Sequence, residues 1–201
     1  AEDLRKLATV FRVLRIRSLA SLALAASAFL GLMTTTGTSA VAAATTVPSH
    51  TVLVVGDSIA QQASTYESAM LSATHDIRSK FVTVPGASFC ALWPKTQSLV
   101  KSLKPQVVVL EIVGTAYSPC AKKYGLIHSD PWFAAMRAAL EKGVNTMAAG
   151  GVQKIMLDAG PVSKAGDDWK VRFRAMFDDL ATAHPGLVTQ ITPGTVVEGA
   201  G

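Results

Sequence analysis

A Gly-Asp-Ser triplet ends the first strongly apolar run after residue 50, in the stretch LVVGDSIAQ at residues 53–61. The apolar run predicts a buried strand, and Ser58 stands where that strand gives way to a helix. There its Oγ lies at the carboxyl edge of a sheet, beside backbone N–H groups at the positive end of a helix dipole, which can stabilise an oxyanion. The position suits a nucleophile. It also suits a helix N-cap, because serine is a preferred N-cap residue.

Short apolar segments alternate with longer amphipathic segments from residue 51 onward. This alternation predicts βαβ units and a parallel sheet covered by helices on both faces. We expect an α/β protein, a three-layer α/β/α sandwich with a flavodoxin-like five-stranded sheet, because crossovers between parallel strands are right-handed. The predicted strands are residues 51–55, 80–84, 106–112, 154–158 and 188–191, and the predicted helices are residues 60–74, 96–102, 131–149 and 168–183. The longest irregular stretches are predicted at residues 85–95 and 113–130; both follow strands and each contains one cysteine, so a disulfide would join them.

Three stretches, LVVGDSIA, VPGASFC and VVVLEIVGTAYSPC, occur in this order, and each includes the end of a predicted strand. Together they resemble the sequence blocks of the SGNH hydrolases, also called the GDSL family, over roughly residues 51–120. The resemblance implies that Ser58 attacks an ester carbonyl. It also implies an oxyanion hole formed by the backbone N–H groups of Ser58 and Gly86, together with an Asn side chain of the third block.

The third block departs from the family pattern at the oxyanion hole. The loop reads Gly114-Thr115-Ala116-Tyr117 and contains no Asn. Thr115 is the nearest match, and its hydroxyl can donate one hydrogen bond with a shorter reach than an amide. Because loss of one such donor costs about 10² to 10³ in rate, the substitution weakens the interpretation as an enzyme without ending it.

The general base is the larger departure. A nucleophilic serine needs an imidazole that is itself oriented by another group, and the family supplies both from an Asp-x-x-His motif after the last strand. None of the four histidines has Asp three residues before it. One interpretation is that the sequence is truncated before that motif. A second interpretation is that His128, with Asp130 beside it, acts as the base. A third is that His184 acts as the base, although His184 also suits a helix C-terminus, where a cation is favourable.

The N-terminal segment has the pattern of a secretory signal peptide. Residues 1–17 contain five basic and two acidic side chains, residues 18–33 form an uncharged run, and residues 40–44 read AVAAA. A basic start, an apolar centre and small-residue cleavage sites define that pattern. An uncleaved membrane anchor is the alternative, although the run is shorter than the ~20 apolar residues of a spanning helix.

We therefore predict three regions: residues 1–44 as a signal peptide or N-terminal membrane anchor, residues 45–50 as a linker, and residues 51–201 as an SGNH hydrolase-like domain without its closing segment. The protein is then secreted or held in the cell envelope, and only the N-terminal segment, if uncleaved, would contact a membrane.

The charge balance and the cysteine content limit the classes of partner and of covalent bond that we expect. Residues 45–201 carry 14 basic and 12 acidic side chains, a balance that does not indicate a nucleic-acid partner. Cys90 and Cys120 are the only cysteines. In an exported protein an even pair indicates a disulfide, which would add about 3 to 4 kcal/mol by loop entropy. Two unrelated buried thiols are the alternative.

Four further side chains have two interpretations each. Glu111 interrupts an apolar strand near the expected site. It is either an acid with a perturbed pKa or the partner of a nearby hydrogen-bond donor. Asp57 is expected to brace its turn by bonding to backbone rather than to react. Trp93 and Trp132 could line an acyl pocket or pack in the core.

The interpretation that follows is a serine esterase or acylhydrolase that cleaves small-acyl or lipid O-acyl esters through an acyl-serine intermediate. No metal cluster, phosphate loop or dinucleotide fingerprint occurs in the sequence, so no cofactor is expected. Two alternatives remain: an O-acyltransferase acting on cell-envelope glycans, and a non-catalytic envelope-binding protein. The acyl chain, the alcohol and the oligomeric state are left open.

Overall fold

Five parallel strands form one sheet in the part of the chain that the computed structural model describes, which comprises residues 50–74, 76–112, 118–160 and 168–191. The spatial order is β2-β1-β3-β4-β5, and every neighbouring pair is parallel. This flavodoxin-like order confirms the predicted fold class. The strands are β1 His50–Gly56, β2 Ile77–Thr83, β3 Val107–Glu111, β4 Lys154–Asp158 and β5 Val188–Ile191.

Helices occupy the connections between these strands. They are α1 Ser58–Ser72, α2 Phe89–Leu103, α3 Pro119–Lys122, α4 Asp130–Ala149 and α5 Asp168–Ala183. The bounds predicted for α4 and α5 agree with these to within one residue, because both helices have a strong apolar periodicity and an acidic first turn.

Three predicted features of the chain are wrong. Strand β2 begins at Ile77 rather than at residue 80, because β1 already offers backbone partners there and Ile77 is buried against it. The stretch at residues 85–95 is not wholly irregular, since α2 begins at Phe89 and continues through Pro94. Proline normally breaks a helix, but the buried side chains of Phe89 and Leu92 hold this first turn in the core. The stretch at residues 113–130 contains α3.

Strand β1 is buried on both faces, which explains its continuous apolar sequence. Leu53 and Val55 belong to the main core cluster with side chains of α2 and α4. Because successive strand residues point to opposite faces, the equally buried Val52 and Val54 face the other layer. Helix α1 packs against β1 and β2. The arrangement is the expected α/β/α sandwich, with β1 near its centre.

The predictions for residues 1–49 fall outside the described ranges and stay predictions, whereas His50, the last residue of the predicted linker, already belongs to β1. In the described ranges, no helix combines enough length with enough apolar character to cross a lipid bilayer.

Gly56, the last residue of β1, is required by a close approach of three elements. A Cβ at this position would overlap the Cβ of Ala60 in α1 and lie 2.7 Å from the carbonyl oxygen of Glu111 in β3. The second contact is with backbone, which cannot rotate away. Only glycine lets the chain turn from β1 into α1 at this place.

We predict that Gly56→Ala lowers the free energy of unfolding by about 3 kcal/mol, because overpacking against fixed backbone is costly. Gly186→Ala is the control: Gly186 has a positive φ, of 82°, which strains alanine, but open space around it. Backbone strain alone should cost about 1 kcal/mol there. Urea unfolding of both variants checks the difference, and equal losses would contradict the close approach.

Candidate active site

Ser58 is the first residue of α1 and is partly buried. The N-cap residue is Asp57, whose side chain is fully buried and accepts the backbone N–H of Ile59 at 2.9 Å. The predicted brace by Asp57 is therefore confirmed, and the interpretation of Ser58 as the N-cap is wrong. The hydroxyl of Ser58 does not have to serve as the helix cap.

Backbone hydrogen bonds fix the turn that carries Ser58. The N–H of Asp57 donates to the carbonyl of Glu111 in β3 at 3.3 Å, and the carbonyl of Gly56 accepts the N–H of Val84, just after β2, at 3.1 Å. Because β1 lies between β2 and β3, Ser58 is held at the carboxyl edge of the sheet between the ends of these two strands. Ligands bind beyond this edge in open α/β sheets.

Gly86 lies at the same edge, in a tight turn directly after β2. The N–H of Ala87 donates to the carbonyl of Val84 at 3.1 Å, and Gly86 has a φ of +69°. Proline followed by a residue with positive φ is typical of a type II turn, which favours glycine at that position. The structure thus brings Ser58 and Gly86 to neighbouring strand ends. Thr115, the third proposed oxyanion donor, lies outside the described residues.

The predicted disulfide is present. Cys90, in the first turn of α2, is bonded to Cys120 in α3. It joins the segments that follow β2 and β3, as the sequence predicted. Trp132 is fully buried and Trp93 packs against the core next to Phe89, so core packing accounts for both.

His128 lies in the turn before α4, at the carboxyl edge of the sheet, the edge at which Ser58 also lies. Its backbone has a φ of 63°, and its ring stacks on Trp169 with centroids 4.4 Å apart and planes 5° apart. The ring also meets the edge of Trp132 at 5.5 Å. Asp130, proposed as its orienting group, accepts a hydrogen bond from Arg172 at 2.5 Å. The ring of His128 therefore joins the first turns of α4 and α5.

His184 lies at the opposite edge of the sheet from Ser58. It follows α5 and precedes β5, and all strands are parallel, so a full strand length separates the two residues. That length is about 15 Å for a strand of five residues. A ring nitrogen of His184 is 2.6 Å from a carboxylate oxygen of Glu141. The structure does not bring His184 to the nucleophile, and the alternative interpretation as a helix C-terminal residue fits its place.

Carboxyl groups crowd behind the nucleophile turn. The side chain of Glu111 is hydrogen-bonded to that of Glu67, and burial, reinforced by the charges of Glu67, Asp158 and Asp57, raises the pKa of Glu111 to about 8. Burial also raises the pKa of Glu67, against the opposing effect of its bond to Glu111. Glu111 therefore keeps its proton to a higher pH than an exposed glutamate does. It is the perturbed acid that the sequence suggested as one alternative.

Asp158, the register partner of Glu111 on β4, shares this environment. Burial raises its pKa to about 6, opposed by the N–H of Gly160, which donates to it at 2.7 Å, and by the charge of Arg174. Within the described ranges, no group of three or more His, Cys, Asp or Glu side chains is placed to hold a metal ion.

Sequence reasoning missed Glu67. The available signal was helical periodicity, because Glu67 follows the buried Ala60 by seven residues and so lies on the same face of α1. An acidic side chain on a buried helix face needs a partner.

We predict that the protein loses stability as the pH rises from about 5 to 8. The unfolded Glu111 carboxyl has an ordinary pKa of 4.5 and the folded one about 8, so the folded state holds more protons in this interval and the free energy of unfolding falls with pH. Each pKa unit corresponds to about 1.4 kcal/mol, so the loss is on the order of 3 kcal/mol.

Glu111→Gln should remove at least half of this loss, measured by urea unfolding at several pH values. Asp179→Asn is the control, because Asp179 is 60% exposed and its pair with Arg137 at 3.5 Å is in water. Its pH curve should parallel that of the unchanged protein. A Glu111→Gln curve with the original slope would show that another group titrates.

No family model matches the chain, and no curated protein matches it. Solved structures do. A variant of Axe2, an acetyl-xylooligosaccharide esterase from Geobacillus stearothermophilus, is 16% identical with a TM-score of 0.57, covering 77% of this chain and 82% of that one. The psychrotrophic esterase EstA from Pseudoalteromonas sp. is 14% identical with a TM-score of 0.54, covering 71% and 77%.

A lipase/acylhydrolase from Enterococcus faecalis is 14% identical with a TM-score of 0.53, covering 69% of this chain and 74% of that one. Two further matches are catalytic mutants of Axe2, one with a serine and one with a histidine replaced by alanine. At these identities the likeness establishes a shared fold.

Proposed function

We propose that this chain, which has the fold of the SGNH hydrolases, is a carboxylic-ester hydrolase with Ser58 as its nucleophile. The observation that carries the proposal is the position of Ser58: it begins α1 at the carboxyl edge, between the ends of β2 and β3 and beside the Gly86 turn, while Asp57 serves as the helix cap. The esterases and acylhydrolases that share the fold support the same reaction class.

The proposed reaction is acyl transfer in two steps. The Oγ of Ser58 attacks the ester carbonyl carbon while a base takes its proton, and the carbonyl oxygen becomes an oxyanion. The backbone N–H groups of Ser58 and Gly86, with the hydroxyl of Thr115, donate to that oxygen; such donors are each worth about 10² to 10³ in rate. The base then protonates the leaving alcohol, and water hydrolyses the acyl-serine by the same sequence of steps.

The base is part of the proposal. The resemblance implies an Asp-x-x-His motif as the base and its orienting group, and these 201 residues do not contain one. His128 is the alternative within the described residues, but its ring stacks on Trp169 and the nearby Asp130 bonds to Arg172. Those contacts favour a packing role for the ring.

We propose small O-acyl esters, such as acetyl groups on cell-envelope glycans or lipids, as the substrates of an exported enzyme. The predicted signal segment and the disulfide, a bond that persists in oxidising compartments, support export. Acetate release measured with and without a glycan acceptor separates hydrolysis from transfer: transfer would yield acylated acceptor instead of free acid.

We predict that a fluorophosphonate adds once to the protein, on Ser58, as measured by intact mass. Ser58→Ala should not be labelled. Ser64→Ala is the matched control, because Ser64 lies in the same helix with an exposed hydroxyl that donates to the carbonyl of Gln61. Equal labelling of the unchanged protein and Ser58→Ala would refute the assignment of the nucleophile.

A second labelling experiment locates the base. If it lies outside the 201 residues, a chain ending at residue 201 should be labelled about 10⁴ times more slowly than a longer chain that contains the motif, because a triad member is missing. In that shorter chain His128→Phe, which keeps a ring for Trp169, should leave the rate unchanged. A further loss in His128→Phe would identify His128 as the base.

A further inference from the structure

Two buried serine hydroxyls connect the segments that follow β2 and β3. Ser88 and Ser118 are both buried, and the backbone N–H of Ser88 donates to the Oγ of Ser118 at 2.9 Å. They occupy the N-cap positions of α2 and α3, yet neither side chain makes a cap hydrogen bond. The Oγ of Ser118 is therefore used between segments rather than within its own helix.

The same cluster includes the disulfide. The Oγ of Ser88 lies 3.1 Å from the Sγ of Cys90 and 3.6 Å from the Sγ of Cys120. One hydroxyl thus contacts both sulfur atoms, and the covalent bond and the hydrogen bond join the same two segments. We call Ser88, Ser118, Cys90 and Cys120 the serine-disulfide cluster.

The cluster lies two residues from the proposed oxyanion glycine. The turn that contains Gly86 is attached at its start, where the N–H of Val84 donates to Gly56, the residue that precedes the nucleophile turn. It is attached at its end by the bond between Ser88 and Ser118. Both ends are fixed, so the turn has little freedom to move relative to Ser58.

We propose that the serine-disulfide cluster is a positioning device that holds the Gly86 amide in register with Ser58. This rests on the proposed function, because it assigns the Gly86 amide to the oxyanion hole. An oxyanion donor acts only when it is held within a few tenths of an ångström of its productive place, and a misplacement of about 1 Å can cost 10² in rate. Ser118 contributes through Gly86 and does not itself contact the substrate.

The test compares three variants of the full chain in turnover of a soluble activated ester. Ser118→Ala leaves the N–H of Ser88 buried without its acceptor, so kcat should fall about 10- to 100-fold while KM stays within about twofold. Ser118→Thr keeps the acceptor oxygen and should recover most of kcat. Thr96→Val is the control: it removes a buried hydroxyl from α2, one that donates to the carbonyl of Leu92, far along the helix from Gly86. It should lower the melting temperature and leave kcat unchanged.

Amide hydrogen exchange of residues 84–88 gives a second readout that does not need activity. Exchange at Gly86, Ala87 and Ser88 should quicken at least tenfold in Ser118→Ala and stay unchanged in Thr96→Val. Reduction by a dithiol, which delivers two electrons and two protons to the Cys90 and Cys120 sulfurs and is itself oxidised to a disulfide, should act in the same direction in the unchanged chain.

The two readouts separate the failure of this inference from that of the proposed function. If Ser118→Ala keeps the kcat and the exchange rates of the unchanged chain, the positioning role is overturned. If the unchanged chain shows neither turnover nor fluorophosphonate labelling at Ser58, the proposed function has failed, and exchange alone decides: faster exchange at Gly86 in Ser118→Ala supports the positioning role, and unchanged exchange refutes it.

Discussion

The close backbone approach at Gly56 is the constraint on which the candidate site depends. Without a side chain there, the end of β1 lies against Ala60 of α1 and the carbonyl of Glu111 in β3, and the chain can enter α1 directly after the strand. The same residue accepts a hydrogen bond from Val84, at the start of the Gly86 turn. The turn that carries Ser58 and the turn that contains Gly86 are therefore both positioned by the backbone at Gly56.

Buried carboxyl groups lie behind the Gly56 turn, and burial together with their mutual repulsion determines whether they are protonated. Burial keeps Glu111 protonated, and its proton can be shared with Glu67, because two ionised carboxylates this close would repel strongly in a medium of low dielectric constant. The buried carboxyl of Asp57 is stabilised in another way, because it accepts the N–H of Ile59 as the helix cap. One buried acid is thus used to begin the helix and another to join α1 to β3.

Loops position the remaining parts of the site, and loops need restraint. The segments after β2 and β3 are joined to each other by the Cys90–Cys120 disulfide and by the bond between Ser88 and Ser118. A covalent link removes chain entropy only from the unfolded state, whereas the buried hydrogen bond fixes local orientation. The two act on the same loops in different ways.

Local features of the fold and of the candidate site were predictable from the sequence. The alternating apolar pattern predicted the strands and their order, and Gly-Asp-Ser after a buried strand predicted the place of Ser58. Gly86, at the next strand end, and the pairing of the only two cysteines were also predictable. These predictions succeeded because they depend on residues close in sequence and on the few ways that parallel strands can be connected.

The packing of helices and strands against one another determines which distant side chains meet. No spacing in the sequence indicates that Glu67 bonds to Glu111, that His128 stacks on Trp169, or that His184 pairs with Glu141 far from the nucleophile. Such pairs depend on how helices pack across the sheet, which fixes side chains from segments that are remote in the chain. The physical reason is that periodicity defines the face of an element, whereas packing between elements selects the partner on that face.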